Sequence, residues 1–470
     1  MYNSKSNMAT EFIDDEEILA TLEFASRNRE NRVLLEEILE KAGQFKGLSY
    51  RDAAVLLECE LEDVKNSVFS LAEHIKKKFY GNRIVMFAPL YLSNYCINEC
   101  RYCPYHGSNR HIARKQLSQE DIVKEVIALQ DMGHKRLALE TGEDPENCPI
   151  EYVLESIKTI YSIKHKNGAI RRVNVNIAAT TAENYKKLKE AGIGTYILFQ
   201  ETYHKPTYEY LHPKGPKHNY AYHTEAMDRA MEAGIDDVGL GVLFGLNLYK
   251  YDFVGLLMHA RHLEDARGVG PHTISVPRIR PADDVDLNEY SNAIPDEIFE
   301  KIVAILRIAV PYTGIIMSTR ESEKTRAECL KLGVSQISGG SSTSVGGYVE
   351  KEEENTAQFE VNDTRTLDEI VNWLIKLGYL PSFCTACYRE GRTGDRFMRL
   401  VKSGAIANVC QPNALMTLKE YLEDYASEDT KNHGERMISD EVETLRNPDV
   451  KRIVREHLSE LREGKRDFRF

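Results

Sequence analysis

The sequence predicts an α/β protein built on a closed (β/α)8 barrel, preceded by helices and followed by a mainly helical extension. Residues 1–80 place apolar side chains at three- and four-residue intervals, the spacing of amphipathic helices. Residues 81–344 alternate eight short apolar runs with helical segments, which is the repeat of a TIM barrel. Residues 345–470 return mostly to helical spacing, after a charged stretch at 345–362 that reads as a linker. We therefore expect three regions with these bounds.

The eight predicted strands lie between residues 83 and 340. In chain order they are RIVMFAPLYL, KRLALE, VNVNIA, TYILFQ, DDVGLGVLF, HTISVPRI, GIIMS and QISG. Among the helices between them, one is expected to begin at Ser118 with Asp121 as its capping partner, and another at Thr180 with Glu183. Catalytic residues of such barrels lie at the carboxyl ends of the strands, so residues that follow each strand are the first candidates for a site.

The charge balance excludes some classes of partner. The chain of 470 residues has 61 Lys and Arg against 73 Asp and Glu, a formal net charge of −12. An acidic protein suits neither nucleic acid nor an anionic membrane surface, so we expect neither partner. No apolar run approaches the roughly 20 residues that cross a bilayer, and the acidic first residues are unlike a secretory signal. We therefore expect a cytoplasmic location.

Three of the nine cysteines follow the first predicted strand within eight residues. They are Cys96, Cys100 and Cys103, in SNYCINECRYCPYHG. Three thiolates on one short loop can hold three corners of a 4Fe–4S cubane and leave the fourth iron open to a small molecule. Structural zinc is the alternative, but zinc normally takes four protein ligands, and no second cysteine pair lies nearby in sequence. The loop therefore favours an iron–sulfur cluster with an open corner.

A second set of cysteines lies in the extension. Cys384 and Cys387 form a CxxC, and Cys410 follows after 22 further residues. A zinc site with three cysteines and a histidine, or a thioredoxin-like redox pair, would also use a CxxC. A redox pair leaves Cys410 unexplained, and no βαβ pattern surrounds the motif. We expect a second 4Fe–4S cluster, again with an open corner.

The first cysteine loop, with Tyr102 before its third cysteine, resembles the radical S-adenosylmethionine (SAM) superfamily. The Thr141–Glu143 segment after the second strand resembles the motif that holds the SAM amino group. Gly239 and Gly241 in the fifth strand resemble glycines whose backbone approaches adenine, although a packing role is an equal alternative. The resemblance implies that SAM chelates the open iron and is cleaved to methionine and a 5′-deoxyadenosyl radical.

The second cysteine set narrows the resemblance. A CX2CX22C spacing inside CYREGRTGDRFM resembles the HydG family of tyrosine lyases, the maturases of FeFe hydrogenase, from about residue 80 to at least 420. This resemblance implies cleavage of the Cα–Cβ bond of L-tyrosine to p-cresol and dehydroglycine. The dehydroglycine would then become carbon monoxide and cyanide. An extra iron on the auxiliary cluster would collect them as an Fe(CO)2(CN) unit for the hydrogenase H-cluster.

The resemblance also implies partners. They are a low-potential electron donor of the ferredoxin or flavodoxin type and a hydrogenase-maturation scaffold protein, working in an anaerobic cytoplasm. Two other functions stay open at this point. One is a thiazole-pathway tyrosine lyase, which makes dehydroglycine alone and lacks the second cysteine set. The other is a non-catalytic iron–sulfur scaffold.

Residues after the later strands supply the remaining candidates. Arg320 follows the seventh strand, where a guanidinium can hold an amino-acid carboxylate through two hydrogen bonds, with Ser318 and Thr319 as hydroxyl helpers. A solvated arginine at a helix start is the alternative. Glu201, Thr202 and Tyr203 end the fourth strand, and Arg278 and Arg280 end the sixth. The candidates for cofactor binding are Tyr102, Gly142, Glu143, Glu201, Gly239, Gly241, Arg278 and Arg280.

One histidine is a candidate ligand of the extra iron. His262 falls near the end of the helix LLMHARHLEDA, which points away from the catalytic face. The resemblance places the second cluster at the opposite end of the barrel, joined to the first by a tunnel, and a histidine there is expected to bind the extra iron. His259 and His272 are the rivals, and a hydrogen-bonded structural histidine is the alternative for each.

Overall fold

The computed structural model describes residues 1–349 and 355–470. Its strands confirm the predicted α/β barrel, and each of the eight predicted runs contains one of the barrel strands. Over the described residues the strands are β1 (Arg83–Ser93), β2 (Arg136–Thr141), β3 (Lys164–His165), β4 (Gly168–Ala169), β5 (Arg172–Asn176), β6 (Tyr196–Ile197), β7 (Val238–Gly241), β8 (Thr273–Ser275), β9 (Gly314–Met317), β10 (Gln336–Ser338) and β11 (Leu380–Ser382).

The barrel closes through parallel pairing. Strands β1, β2, β5, β6, β7, β8, β9 and β10 are neighbours in that order, and β10 returns to β1, where Met86 lies opposite Ile337. Two features had no sequence signal. The β3–β4 hairpin has two residues a side, too few for an alternating pattern. Strand β11 pairs in parallel with the first three residues of β1, so the C-terminal extension joins the barrel sheet.

The helices form three groups, as the periodicity predicts. The N-terminal helices are α1 (Ala9–Phe12), α2 (Asp15–Asn28), α3 (Arg32–Ala42), α4 (Tyr50–Glu58) and α5 (Glu62–Tyr80). The barrel helices are α6 (Gln119–Asp131), α7 (Ile150–Ser162), α8 (Ala182–Glu190), α9 (Lys205–Leu211), α10 (Tyr220–Thr224), α11 (Ala226–Glu232), α12 (Tyr249–Arg267), α13 (Asp296–Ala309) and α14 (Glu323–Leu332). The C-terminal helices are α15 (Leu367–Lys376), α16 (Ala386–Arg389), α17 (Gly394–Lys402), α18 (Ala407–Asp424), α19 (Glu428–Thr444) and α20 (Pro448–Arg462).

Helix boundaries follow local capping chemistry. The capping box predicted at Ser118 is confirmed, because its hydroxyl accepts the Asp121 N–H at 3.1 Å while the Asp121 carboxylate faces the Ser118 N–H. The start predicted at Thr180 is one residue early. Thr181 caps α8 instead, accepting the Asn184 N–H at 3.2 Å. Either threonine hydroxyl could accept the backbone N–H of the residue three positions later, so the sequence alone does not choose between Thr180 and Thr181 as the N-cap.

The N-terminal helices thicken one side of the barrel wall. Helices α4 and α5 pack on α13, and α2 packs on α4 and α12. Side chains on α5 such as Val68, Ala72 and Ile75 are buried against these neighbours. The N-terminal region therefore shares its core with the barrel. No helix in the described ranges has both the length and the apolar character needed to cross a membrane.

Part of the stretch predicted as a charged linker lines the cavity at the carboxyl end of the barrel. Residues 350–354 within it lie outside the described residues. Two hydrogen bonds hold the segment that follows these residues. The Tyr91 hydroxyl donates to Gln358 Oε1 at 2.9 Å, and the Thr343 hydroxyl donates to the Phe359 carbonyl at 2.8 Å. Gln358 and Phe359 consequently reach the carboxyl end of the barrel, and composition gave no sign of this because the segment is rich in charge.

Candidate active site and second cysteine site

A cavity of about 210 Å³ opens at the carboxyl ends of the barrel strands. Cys96, Cys100 and Cys103 all line it, on the loop that follows β1. The loop is tied to the end of β2, because the Ile97 N–H donates to the Glu143 carbonyl at 2.9 Å. The Asn98 side-chain amide donates to the Glu143 carboxylate at 2.6 Å. The first cysteine set therefore faces the interior of the cavity on a braced loop.

Burial affects the protonation of two thiols on this loop. Burial raises the pKa of Cys100 well above its usual range and that of Cys103 to about 12, so without a metal both would stay protonated. Binding iron would stabilise the thiolates that burial disfavours. Among the described residues, no three Cys, His, Asp or Glu side chains gather closely enough to hold one metal ion.

Several predicted residues do meet in this cavity. Gly142 has a structural reason to be glycine, since a Cβ there would overlap the carbonyl oxygen of Tyr95 beside Cys96. Tyr102 orients its ring by sharing a hydrogen bond of 2.7 Å with His212 Nε2. The predicted site residues that line the cavity, besides the cysteines, are Tyr102, Gly142, Glu143, Glu201, Arg280, Thr319 and Arg320.

Arg320 lies in the cavity as predicted, with its guanidinium over the Phe359 ring at 3.5 Å. Among the described residues, no acceptor is within hydrogen-bond distance of that guanidinium. Burial lowers the pKa of Arg320 from its usual range, but arginine is still charged at neutral pH. Ser318 does not line the cavity, and its hydroxyl accepts the Arg320 N–H at 3.3 Å. Arg320 therefore offers an unpaired cation to an anionic ligand, and Ser318 shapes the turn beneath it.

The prediction for Arg278 is not supported by its position. Its guanidinium donates to Glu321 at 3.1 Å and to Asp296 at 2.8 Å, and its plane covers the Phe299 ring. It does not line the cavity. Arg280 does, although one of its nitrogens is 2.7 Å from Glu321. Both arginines share the buried Glu321 carboxylate, and Arg278 differs because Asp296 and the Ile294 carbonyl also engage its guanidinium.

The two glycines of β7 pack against neighbours instead of facing the cavity. A Cβ at Gly239 would come within 2.6 Å of the Thr273 hydroxyl, and one at Gly241 would overlap the Phe199 ring. Neither glycine lines the cavity. The packing alternative that the sequence left open is therefore the one that the geometry favours.

Sequence reasoning missed two polar groups of the cavity. Lys217 lies between α9 and α10, in a Gly- and Pro-rich loop with no periodic signal, and its ammonium is 2.8 Å from the Glu201 carboxylate. Glu140 is the last acidic residue of β2 before the Thr141–Glu143 motif, and it accepts a hydrogen bond of 2.7 Å from Asn176. Burial raises the pKa of Glu140 to about 8, so it is mostly neutral at pH 7. Its place at a strand end was the signal that could have found it.

The second cysteine set lies at the amino end of the barrel, opposite the first. Cys384 and Cys387 follow β11, and Cys410 lies in the first turn of α18. Arg136, the first residue of β2, donates to the Cys384 carbonyl at 3.2 Å. The Cys410 thiol and then the Arg392 guanidinium lower the pKa of Cys387, which favours a thiolate at that position. The two sets are thus separated by the length of the barrel strands.

His262, the predicted ligand of the extra iron, is engaged by other parts of the protein. Its Nε2 is 3.0 Å from Asp228, and its Nδ1 is 2.8 Å from the Ser4 carbonyl. The ring stacks on Phe12 of the N-terminal helices at 3.8 Å. Both nitrogens are therefore engaged by the protein, as in a structural histidine. His262 lies near the C-terminal end of α12, where it packs against the N-terminal helices.

His272, one of the two rivals, does lie near the second set. It precedes β8, and its Nε2 is 3.1 Å from the hydroxyl of Tyr388, the residue after Cys387. Its ring packs against Phe397 of α17 at 4.7 Å. The remaining rival, His259, lies on α12, and its Nδ1 is 3.0 Å from the Tyr203 hydroxyl. Position in the fold therefore favours His272.

Comparison with known proteins agrees with both sites. Residues 90–260 match the radical SAM superfamily, and residues 275–380 match the Biotin and Thiamin Synthesis associated domain. The 2-iminoacetate synthase of Salmonella typhimurium is 30% identical over 344 residues, 73% of this chain and 89% of that protein. A crystal structure of HydG, a maturase of the FeFe hydrogenase, superposes with a TM-score of 0.94 at 57% identity, covering 98% of this chain and 100% of that one. This chain belongs to the HydG family.

A second HydG structure, from Carboxydothermus hydrogenoformans, has a TM-score of 0.83 and 40% identity over 96% of this chain and 100% of that one. The predicted resemblance to HydG is thereby confirmed, as is a radical SAM lyase as the class of enzyme. A 4Fe–4S cluster and SAM follow from membership of the radical SAM superfamily. In this HydG-family chain, the residues that would hold them are the three cysteines of the β1 loop and the cavity lining around them.

Proposed function

We propose that this HydG-family chain cleaves L-tyrosine at its Cα–Cβ bond to p-cresol and dehydroglycine, and converts the dehydroglycine to carbon monoxide and cyanide. The observation that carries the proposal is the presence of two thiol trios at opposite ends of one barrel, the first lining a cavity with an unpaired guanidinium. One end then suits radical formation and substrate binding, and the other suits capture of the small products.

In the first site the chain's own side chains bind and orient. When bound there, a cluster and SAM would supply radical chemistry, in the form of a 5′-deoxyadenosyl radical able to take hydrogen from the substrate amino group. Arg320 holds the tyrosine carboxylate by a two-pronged hydrogen bond, since no acceptor in residues 1–349 or 355–470 competes for its guanidinium. Glu143, Glu201 and Lys217 provide the polar contacts for SAM on the cysteine side of the cavity. The apolar wall around Phe199 excludes water from a reactive intermediate.

In the second site, Cys384, Cys387 and Cys410 hold the auxiliary 4Fe–4S cluster. His272 binds the extra iron in place of the earlier candidate His262, because it is the nearer histidine of the two to Tyr388 and the cysteines. The product is an Fe(CO)2(CN) unit for the hydrogenase H-cluster. A low-potential ferredoxin or flavodoxin supplies electrons to the first cluster, and a hydrogenase-maturation scaffold protein accepts the iron unit.

Cysteine replacement tests the division of labour. The protein is reconstituted anaerobically with iron and sulfide, then supplied with dithionite, SAM and L-tyrosine. Replacing Cys96, Cys100 and Cys103 by serine should abolish 5′-deoxyadenosine and p-cresol. Replacing Cys384 and Cys387 by serine should leave both products and remove the carbon monoxide that haem traps. Cys59→Ala, a buried cysteine outside both sets, is the control and should leave all products.

The same experiment separates the competing functions. A wild-type chain that makes p-cresol without any carbon monoxide would be a thiazole-type lyase. A chain that forms no 5′-deoxyadenosine at all would be a scaffold. Carbon monoxide at the wild-type rate from the Cys384 and Cys387 double variant would show that the second site does not process the fragment.

A further inference from the structure

The backbone at Glu201 is strained. Its φ is +68°, a conformation that a non-glycine residue rarely adopts. The Thr202 N–H donates to the Gln200 carbonyl at 2.9 Å, so the residues form a three-residue γ-turn of the rare, positive-φ kind. A glycine would relax this turn, but it would remove the carboxylate that lines the cavity and pairs with Lys217 at 2.8 Å. Such strain persists only where the surrounding structure holds it in place.

The surroundings that hold it belong to α12, outside the strand barrel. Asp252 is fully buried on this helix, and one of its oxygens, Oδ1, accepts both the Thr202 hydroxyl and the Tyr203 N–H at 2.8 Å. These donors are the two residues directly after Glu201. The Asp252 side chain therefore bridges both residues that follow the strained turn, through an oxygen that accepts two hydrogen bonds whatever its protonation state.

A glycine on the same face of α12 brings the helix to the turn. Gly255 lies three residues after Asp252, and a Cβ there would be 2.6 Å from the Cβ of Tyr203. Any side chain would push α12 away and lengthen the hydrogen bonds of Asp252. The Tyr203 carbonyl is fixed from the other side by the Tyr220 hydroxyl at 2.9 Å. The turn is thus held on two sides by groups that do not line the cavity.

We propose that Asp252 is a positioning residue for SAM binding. By clamping Thr202 and Tyr203 it holds Glu201 in the strained turn, and so keeps the Glu201 carboxylate and its partner Lys217 in the cavity. The Thr202 hydroxyl and the Tyr203 backbone N–H serve this clamp, while the Tyr203 hydroxyl is bound to His259 Nδ1 at 3.0 Å. The inference rests on the proposed function, because it takes the cavity to be the SAM site.

Binding of S-adenosylhomocysteine to the reconstituted, full-length protein tests the clamp without requiring turnover. Isothermal titration calorimetry should show that Asp252→Ala weakens the affinity about tenfold, since the turn can then relax. Asp252→Asn keeps an acceptor oxygen and should stay within about twofold of the wild type. Thr202→Val removes one of the two hydrogen bonds at nearly constant volume and should weaken the affinity by about threefold.

Two further variants separate positioning from general stability. Asp228→Ala removes another buried aspartate, which pairs with His262 and Arg267 and does not contact the turn. It should lower the melting temperature but leave the affinity unchanged. In a Glu201→Gly background, adding Asp252→Ala should change the affinity no further, because the clamp acts through Glu201.

Each result has a defined meaning. If the wild type with an intact first cluster does not bind S-adenosylhomocysteine, the proposed function is wrong, and the clamp proposal that rests on it is wrong as well. If the wild type binds and Asp252→Ala binds equally well, the clamp is wrong. It is also wrong if Asp252→Ala costs tenfold in the Glu201→Gly background. Should Asp252→Ala fail to fold, wild-type affinity in Thr202→Val would overturn the proposal.

Discussion

Three arginines follow the sixth and seventh barrel strands, and their partners separate their roles. Arg278 and Arg280 share the buried carboxylate of Glu321, whereas Arg320 lies over Phe359 with no acceptor among the described residues. A buried cation without a counter-charge is costly unless a ligand supplies one. An amino-acid carboxylate entering the cavity therefore has its natural partner at Arg320.

Replacing Arg320 should separate substrate binding from cofactor binding. Arg320→Gln removes charge-assisted hydrogen bonds of about 3 kcal/mol, so the KM for tyrosine should rise roughly 100-fold. Arg320→Lys keeps the charge but loses the planar guanidinium, so its KM for tyrosine should lie between those of the wild type and Arg320→Gln. Initial rates of p-cresol formation at saturating SAM measure the effect. A rise in the KM for SAM with an unchanged KM for tyrosine would assign Arg320 to the cofactor.

At the scale of elements, the end of β2 and the cysteine loop after β1 form one unit. The loop crosses the strand end so closely that only glycine fits at position 142, beside the Tyr95 carbonyl. The Glu143 side chain and backbone then tie the loop through Asn98 and Ile97. The position of the first cluster therefore depends on a backbone contact as well as on its cysteines.

Gly142→Ala should disturb the first cluster without replacing one of its ligands. The added methyl must displace the Tyr95 carbonyl, and Cys96 follows it in the chain. We expect less iron in the first cluster and at least tenfold weaker SAM binding, because ligands must be held within about 0.5 Å of their working geometry. Electron paramagnetic resonance of the reduced protein, with and without SAM, measures both.

Gly43→Ala is the control for this variant, since a Cβ there makes only an ordinary contact of 3.4 Å with the Glu40 carbonyl. It should leave the spectrum unchanged. An unaltered cluster signal and SAM response in Gly142→Ala would show that the loop can shift without loss.

At the scale of the whole molecule, a buried ion cluster fastens the C-terminal extension to the barrel. Glu420 of α18 is fully buried, and its Oε2 is 3.3 Å from Lys135 and 3.0 Å from Arg171. Both cations lie just before barrel strands, β2 and β5. Strand β11 makes the second link. The second cysteine set is thus carried by a region whose position is coupled to the barrel.

Glu420→Gln should destabilise the protein by about 3–5 kcal/mol, because it leaves Lys135 buried without its counter-charge. The exposed pair of Asp395 and Arg399 provides a matched control, and Asp395→Asn should change stability by less than about 1 kcal/mol. Denaturant titration of both variants measures the difference. Equal stability of the two would mean that the buried cluster does not fasten the extension.

Much of this fold and part of the site could be predicted from local sequence. The eight barrel strands, the capping box at Ser118 and the two cysteine sets depend on spacing over short stretches, which periodicity and motif reading detect. Strand β11 and the hairpin were missed because neither lies in an apolar run: the hairpin segment is KHKNGA, and a proline interrupts β11. The wall residues Gln358 and Phe359 were missed because a charged segment reads as a linker.

The sequence by itself determined the barrel, the end at which the first cysteines lie, and the existence of a second thiol trio. Only the tertiary structure decided between side chains of the same type. Arg320 lies over Phe359 where Arg278 is paired with Glu321, and His272 meets Tyr388, 116 residues away, while His262 meets Asp228. The physical reason is that partners distant in the chain satisfy or leave open each buried polar group. That outcome depends on which strands and helices the fold brings together.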